Sequence, residues 1–204
     1  MAMSDLVLAM TGASGSPYGT RLLEVLLAAG RTVHLTISPA AVEVLAQETE
    51  RKLRLDRFSL GDLLGDSAAS AKAAQVHYHH YMDFRAGIAS GSFVTAGMVV
   101  CPCSMGTASA IAHGASQNLI HRAAEVHLKE RRKLVLVPRE TPLGVVQLRN
   151  LAACAEAGAV VLPAMPAFYT RPRSLDDMVA FIVGRICDQL GVEHDLFPRW
   201  GALM

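Results

Sequence analysis

An apolar run gives way to glycine and hydroxyl residues in Leu6-Val7-Leu8-Ala9-Met10-Thr11-Gly12-Ala13-Ser14-Gly15-Ser16-Pro17-Tyr18-Gly19, an order that suits a turn able to cradle an anion. Glycine lets the backbone approach a phosphate closely. Ser14 and Ser16 offer hydroxyls, and a helix starting there adds N–H donors and a positive dipole end. The Gly-Lys-Ser/Thr ending of a Walker loop is missing, and the spacing does not fit the three-glycine dinucleotide fingerprint. Taken alone, the turn also fits a plain strand-to-helix connection.

Three further segments carry the same kind of chemistry. Ser38, Pro102-Cys103-Ser104-Met105-Gly106-Thr107 and Pro138-Arg139-Glu140-Thr141-Pro142 each follow an apolar or β-branched run and end in small, hydroxylic or charged residues. Hydroxyls and cations that converge from several strand ends point to a phosphate-bearing cofactor. Ser104 and Thr107 also fit simple caps of a helix over Met105–Ala112. Arg139-Glu140 is the stronger local signal, because the charged pair directly follows a buried strand and is flanked by prolines.

These segments need a scaffold, and periodicity supplies one. Leu6–Met10, Thr32–Ile37, Met98–Cys101, Leu134–Val137 and Val160–Leu162 read as strands buried on both faces of a parallel sheet. Helical patterns lie over Tyr18–Ala29, Pro39–Glu50, Asn118–Lys129, Val145–Glu156 and Leu175–Leu190, with Gly30, Gly158 and Gly191 as stops. The pattern predicts an α/β fold with a doubly wound parallel sheet in one domain spanning all 204 residues. Ligands of such folds sit beyond the carboxyl ends of the strands, where the chemistry-bearing segments fall.

Composition excludes several classes of function. A formal net charge of +1 with both signs evenly spread leaves no footprint for nucleic acid or an anionic membrane. No run reaches membrane-span length and no secretory signal pattern opens the chain, so the expected location is cytoplasmic. Cys101, Cys103, Cys154 and Cys187 are read as reduced core thiols. The Cys101-Pro102-Cys103 spacer is one residue, not the two of a redox pair. His77-Tyr78-His79-His80-Tyr81 lacks helical ligand spacing with a carboxylate between and is read as a strand and its turn, leaving no metal site.

Six segments together resemble the UbiX-type flavin prenyltransferases. They are Thr11-Gly12-Ala13-Ser14-Gly15, Asp83-Phe84-Arg85-Ala86-Gly87-Ile88-Ala89-Ser90-Gly91-Ser92, Cys101 to Thr107, Asn118-Leu119-Ile120, Lys129 to Glu140, and Pro198-Arg199-Trp200-Gly201. Their order covers nearly the whole chain. The resemblance implies a flavodoxin-like Rossmann fold that binds FMN. It also implies transfer of a dimethylallyl group from dimethylallyl monophosphate to N5 and C6 of the reduced flavin, whose prenylated product serves UbiD-type decarboxylases. It further implies a homo-oligomer, a dodecamer in other members, with sites between subunits and the tail of residues 192–204 at an interface.

Residue by residue, the resemblance assigns FMN to Gly12, Ala13, Ser14, Ser38, Ser104, Met105, Gly106, Thr107 and Arg139. Lys129, Tyr169, Arg185 and Arg122 are implied round the donor phosphate, with Ser90, Gly91 and Trp200 beside the prenyl group. Guanidinium and ammonium groups of this kind stabilise a leaving phosphate without a metal. Glu48 and Glu140 are the candidates for acid and base work, and Ser14 for relaying a proton. Taken singly, Lys129 at a helix end and Arg185 on the last helix fit solvated surface, Tyr169 fits ordinary packing, and Trp200 fits a C-terminal anchor.

Two other readings share the fold and the cofactor. FMN-dependent cysteine decarboxylases carry Pro-Ala-Ser-Ala-Asn-Thr where this chain has Pro102-Cys103-Ser104-Met105-Gly106-Thr107. They also carry Pro-x-Met-Asn in place of Pro138-Arg139-Glu140-Thr141. A non-catalytic FMN-binding activator would bind the flavin and leave it unmodified.

Overall fold

Five runs of β-branched and aliphatic residues, all of them core-forming, build the sheet in a computed structural model that describes residues 5–65 and 73–201. In chain order the elements are β1 (Leu6–Met10), α1 (Ser16–Ala28), β2 (Val33–Ile37), α2 (Pro39–Thr49), α3 (Leu60–Leu64), β3 (Val76–Tyr78) and β4 (Gly97–Cys103). They continue with α4 (Met105–Ala112), α5 (Leu119–Lys129), β5 (Lys133–Pro138), α6 (Val145–Glu156), β6 (Val160–Val161) and α7 (Leu175–Leu190). The sheet order is β3-β2-β1-β4-β5-β6, and every pairing is parallel. The strand order reverses between β1 and β4, so the crevice at their carboxyl ends is the topological switch point.

Side-chain alternation along each strand divides the core in two. Leu6, Leu8 and Met10 of β1 pack with apolar residues of α1, α2 and α7, whereas Val7 and Ala9 pack with α4, α5 and α6. Two residues on opposite helix layers are therefore separated by the whole sheet. On α7, Phe181, Ile182, Val183, Ile186 and Cys187 are buried. Full burial of an aliphatic side chain of this size contributes roughly 1.5–3 kcal/mol, so these residues fix the helix firmly in place.

The helix starts follow the residues suited to them. Side-chain oxygens of Ser38, Ser104, Asn118 and Ser174 accept hydrogen bonds from the backbone N–H of Ala41, Thr107, His121 and Asp177. Gly191 closes α7 in the left-handed conformation at φ 65°. Helix α1 starts at Ser16, two residues before the expected Tyr18, because Pro17 is favourable in a first helical turn.

Strand β4 is longer than expected and absorbs Pro102 and Cys103. Residues two apart in a regular strand share a face. Here the register shifts between Val100 and Cys103, at the proline that has no N–H for the ladder, and Cys101 and Cys103 enter opposite halves of the core. Burial pushes both thiols far up, so neither is a nucleophile at neutral pH. Strand β3, followed by a turn at Tyr81–Met82, begins the histidine run and adds the sixth, edge strand. Its His79 meets His34 at 2.9 Å between ring nitrogens. Among the described residues no group of three or more His, Cys, Asp or Glu side chains is arranged to hold a metal ion. No described helix is long and apolar enough to cross a membrane.

Candidate functional site

The carboxyl ends of β1, β2 and β4 are stitched together by their backbones and the Thr11 hydroxyl. Thr11 donates from both N–H and hydroxyl to the Pro102 carbonyl, at 3.2 and 2.9 Å, and its hydroxyl oxygen accepts from the Ser104 N–H at 2.8 Å. The Ser38 N–H donates to the Met10 carbonyl at 3.0 Å. Gly12 sits where a Cβ would lie 2.5 Å from the Ala40 Cβ, so the first loop reaches α2 only as glycine. Gly15 turns the chain into α1 at φ 113°.

The donors at the start of α1 are already engaged. Glu48 reaches over from α2, and its carboxylate accepts from the Gly15 N–H at 2.9 Å, the Ser16 N–H at 2.7 Å and the Ser16 hydroxyl at 2.7 Å. Partial burial pulls the Glu48 carboxyl upward, but these bonds, with the Ser14 hydroxyl, outweigh it and hold the group below its ordinary range. A carboxylate thus occupies the anion position that the turn suggested for a phosphate.

Beside Glu48 opens a cavity of about 530 Å³, walled by Ser14, Tyr18, Glu48 and Arg139 on one side and by Ala164, Leu175, Met178 and Val179 on the other. Arg139 is fixed across its mouth, its Nε donating to the Ser14 carbonyl at 3.1 Å. Burial raises the Tyr18 phenol above its usual value, so it stays protonated. At α4, Ser104 caps the Thr107 N–H at 3.2 Å, and its hydroxyl donates to the Thr107 hydroxyl at 3.0 Å. The first-turn N–H groups of Met105 and Gly106 have no intrahelical partner, and a Cβ at Gly106 would meet nothing within 4 Å. An open helix start, serine hydroxyls at Ser38 and Ser104 and a tethered guanidinium form a donor set that fits a phosphate-bearing flavin.

The remaining predicted residues stand elsewhere. Lys129 ends α5, where it pairs with Glu130 next to Gly91. Arg122 donates to the Ala89 carbonyl at 3.0 Å and pairs with Glu125 at 3.1 Å, so Ser90 and Gly91 ride on the same helix layer. Tyr169 and Trp200 meet edge to face at 4.8 Å, and Tyr169 also meets Phe181 of α7, the helix that carries Arg185. These two groups of residues belong to opposite faces of the sheet. Glu140 is exposed and binds its own loop through the Thr141 N–H at 3.2 Å; it does not join the wall that holds Glu48 and Arg139.

The Flavoprotein family matches residues 2–187. A flavin prenyltransferase UbiX of Pseudomonas aeruginosa is 48% identical over 196 residues, which cover 96% of this chain and 93% of that protein. One of Halalkalibacterium halodurans is 46% identical over 198 residues, with 94% and 91% covered. The chain belongs to the UbiX flavin prenyltransferases.

Solved structures agree with that placement. AnUbiX (PadA1), in complex with FMN and dimethylallyl pyrophosphate, superposes with a TM-score of 0.85 at 38% identity over 98% of both chains. A dodecameric FMN-dependent UbiX-like decarboxylase from Escherichia coli O157:H7 gives 0.82 at 41% identity, over 96% of this chain and 98% of that one. The cysteine decarboxylase TvaF, at 18% identity and a TM-score of 0.53, shares the fold alone. Within this UbiX chain, sequence reasoning missed Thr11, Tyr18 and the α7 wall of Leu175, Met178 and Val179. Tyr18 had a usable signal, since it falls in the first turn of the helix that follows the glycine-hydroxyl turn. The α7 wall had none, because its approach to the crevice is set by tertiary packing.

Proposed function

We propose that this prenyltransferase moves a dimethylallyl group from dimethylallyl monophosphate to N5 and C6 of reduced FMN without a metal, in the cytoplasm, making the prenylated flavin that UbiD-type decarboxylases use. The observation that carries the reading is the cavity beside Glu48, with Ser14, Glu48 and Arg139 converging on its wall. The loop backbone at Gly12 and Ala13, the hydroxyls of Ser14, Ser38, Ser104 and Thr107, the α4 amides of Met105 and Gly106, and the Arg139 guanidinium hold the flavin. When bound, the flavin supplies the nucleophile.

Glu48 enters ionised, since its hydrogen bonds keep its carboxyl low. It therefore serves as the proton acceptor, with the Ser14 hydroxyl between it and the ligand. Glu140 is the second carboxylate, for proton return. Lys129, Arg122, Tyr169 and Arg185, with Ser90 and Gly91, hold the donor phosphate and stabilise its charge as it leaves. Trp200 offers a π face to the allylic group as positive charge develops there.

Those donor residues lie on both faces of one sheet, so the complete site takes them from neighbouring copies. We therefore propose a homo-oligomer, with the tail from residue 192 at a subunit interface. Exposed Val145, Val146, Leu148, Phe168 and Leu175 support this, as apolar surface suited to burial between subunits.

The test is anaerobic incubation of the protein with reduced FMN and dimethylallyl monophosphate, without added metal, and mass analysis of the released flavin. A gain of one prenyl unit is expected. Bound FMN that returns unmodified would overturn the reading in favour of a contact activator.

A further inference from the structure

Residues 192–201, which follow α7, have no regular secondary structure, yet they are fastened to that helix at several points. Gly184 lies where a Cβ would fall 2.4 Å from the Phe197 ring and 2.7 Å from the His194 ring, so the tail presses on α7 only at a residue without a side chain. The His194 side chain is 2% exposed. Phe197 packs against Phe181 at 4.9 Å, and the Arg199 guanidinium lies 5.2 Å above the Phe197 ring.

One carboxylate ties these pieces to the donor end of the site. Asp188 accepts from Arg185 Nη1 at 2.9 Å, from Arg199 Nη1 at 2.7 and 2.8 Å on its two oxygens, and from His194 Nε2 at 3.2 Å. The Leu196 N–H donates to His194 Nδ1 at 3.2 Å, and His194 Nε2 lies 3.2 Å from both Asp188 Oδ1 and Arg199 Nη2. Asp188 with its two arginines carries one net positive charge. Arg185 uses only Nη1 here, so Nε–H and Nη2–H stay without an acceptor among the described residues and face outward as a fork suited to phosphate. Phe181, Arg185 and Asp188 follow one another at helical spacing, and Tyr169 meets Phe181 edge to face and Trp200 meets Tyr169 in the same way.

We propose that Asp188 is a positioning residue for the donor-phosphate pocket, holding the Arg185 guanidinium and, through Arg199, the tail that carries Trp200 in one fixed arrangement. The proposal rests on the reading above that Arg185 binds the donor phosphate. Without this carboxylate two adjacent guanidinium groups repel, Arg185 swings into solvent and the tail loses its polar anchor. Pairs this exposed contribute little to stability, since solvent screens them, so the effect falls on orientation and not on folding.

Asp188→Asn, Asp188→Glu, Arg199→Ala and Arg185→Ala proteins, loaded with reduced FMN, test this through KM and kcat for dimethylallyl monophosphate and through the emission of Trp200, the one tryptophan in the chain. Asp188→Asn is expected to raise KM about tenfold and to lower kcat about tenfold, less than full removal of Arg185 does, and to shift the Trp200 emission to the red. Asp188→Glu should restore part of the affinity. Arg199→Ala should shift the emission with a smaller rise in KM, and it serves if the asparagine protein does not fold. Unchanged KM and emission in Asp188→Asn, with KM raised in Arg185→Ala, would overturn the role of Asp188 alone. Unchanged KM in Arg185→Ala would overturn the phosphate assignment beneath it.

Discussion

The strand-end crevice and the cations proposed to bind the donor are built in opposite ways. The crevice is assembled by one chain: Thr11, Pro102 and Ser104 lock two loops together, Glu48 closes the start of α1, and Arg139 reaches back to Ser14. The cations are divided by the sheet, with Arg122 and Lys129 on the α5 layer and Arg185 with Tyr169 on the α7 side. A flavin pocket set by backbone geometry can be completed within one fold. A leaving phosphate needs several positive charges at one point, and gathering them within one chain would place like charges together before any ligand arrives. In the proposed divided site each cation stays paired until assembly, as Lys129 is with Glu130 and Arg185 with Asp188.

Changes at each region should separate the two. The largest effect is expected from Lys129→Ala or Arg185→Ala, each lowering prenylation turnover by ~10²–10³, as loss of a charge stabiliser at a developing anion does, with FMN binding unchanged. Flavin retention read beside product formation checks both halves of that statement. Arg139→Ala should do the reverse, weakening FMN by about 10- to 100-fold because a charged hydrogen-bond donor is lost. Equilibrium titration of flavin fluorescence reads it directly.

Smaller effects concern the framework of the crevice. Gly12→Ala puts a methyl group against Ala40 and should cost about 2 kcal/mol of stability through overpacking, measured by denaturant unfolding. Glu48→Gln should cost about 1 kcal/mol at neutral pH, as loss of a charged helix-start partner does. The sign of its pH dependence follows from a folded carboxyl held below its unfolded value. The stabilisation is present above the unfolded value and is lost as the pH falls through the folded one, so wild type and variant should converge in acid.

The crevice was legible in the sequence because its parts are local. A strand, a glycine-hydroxyl turn and a capped helix are each written in consecutive residues, and the β1 loop fell where the pattern placed it, whereas Pro102, Cys103 and Pro138 extend β4 and β5 beyond the expected strand ends. The role of Glu48 at the start of α1 was not legible, since α2 delivers it from more than thirty residues away. Nor was the wall of Leu175, Met178 and Val179, which depends on how α7 lies across the sheet. The edge strand β3 is three residues long and lies on a histidine-rich run with little apolar signal, too short for periodicity to define its limits. The separation of Lys129 from Arg185 follows from which sheet face each helix covers, a property that exists only once the chain is wound.

Subunit mixing tests the divided site most directly. Lys129→Ala and Arg185→Ala chains, each inactive alone, would be unfolded together, reassembled at equal amounts and assayed for flavin prenylation. If the two residues reach one site from different copies, random assembly restores about a quarter of wild-type turnover, because that share of sites pairs an intact lysine with an intact arginine. A mixture no more active than its parents would contradict the account, placing both residues of each site on one chain.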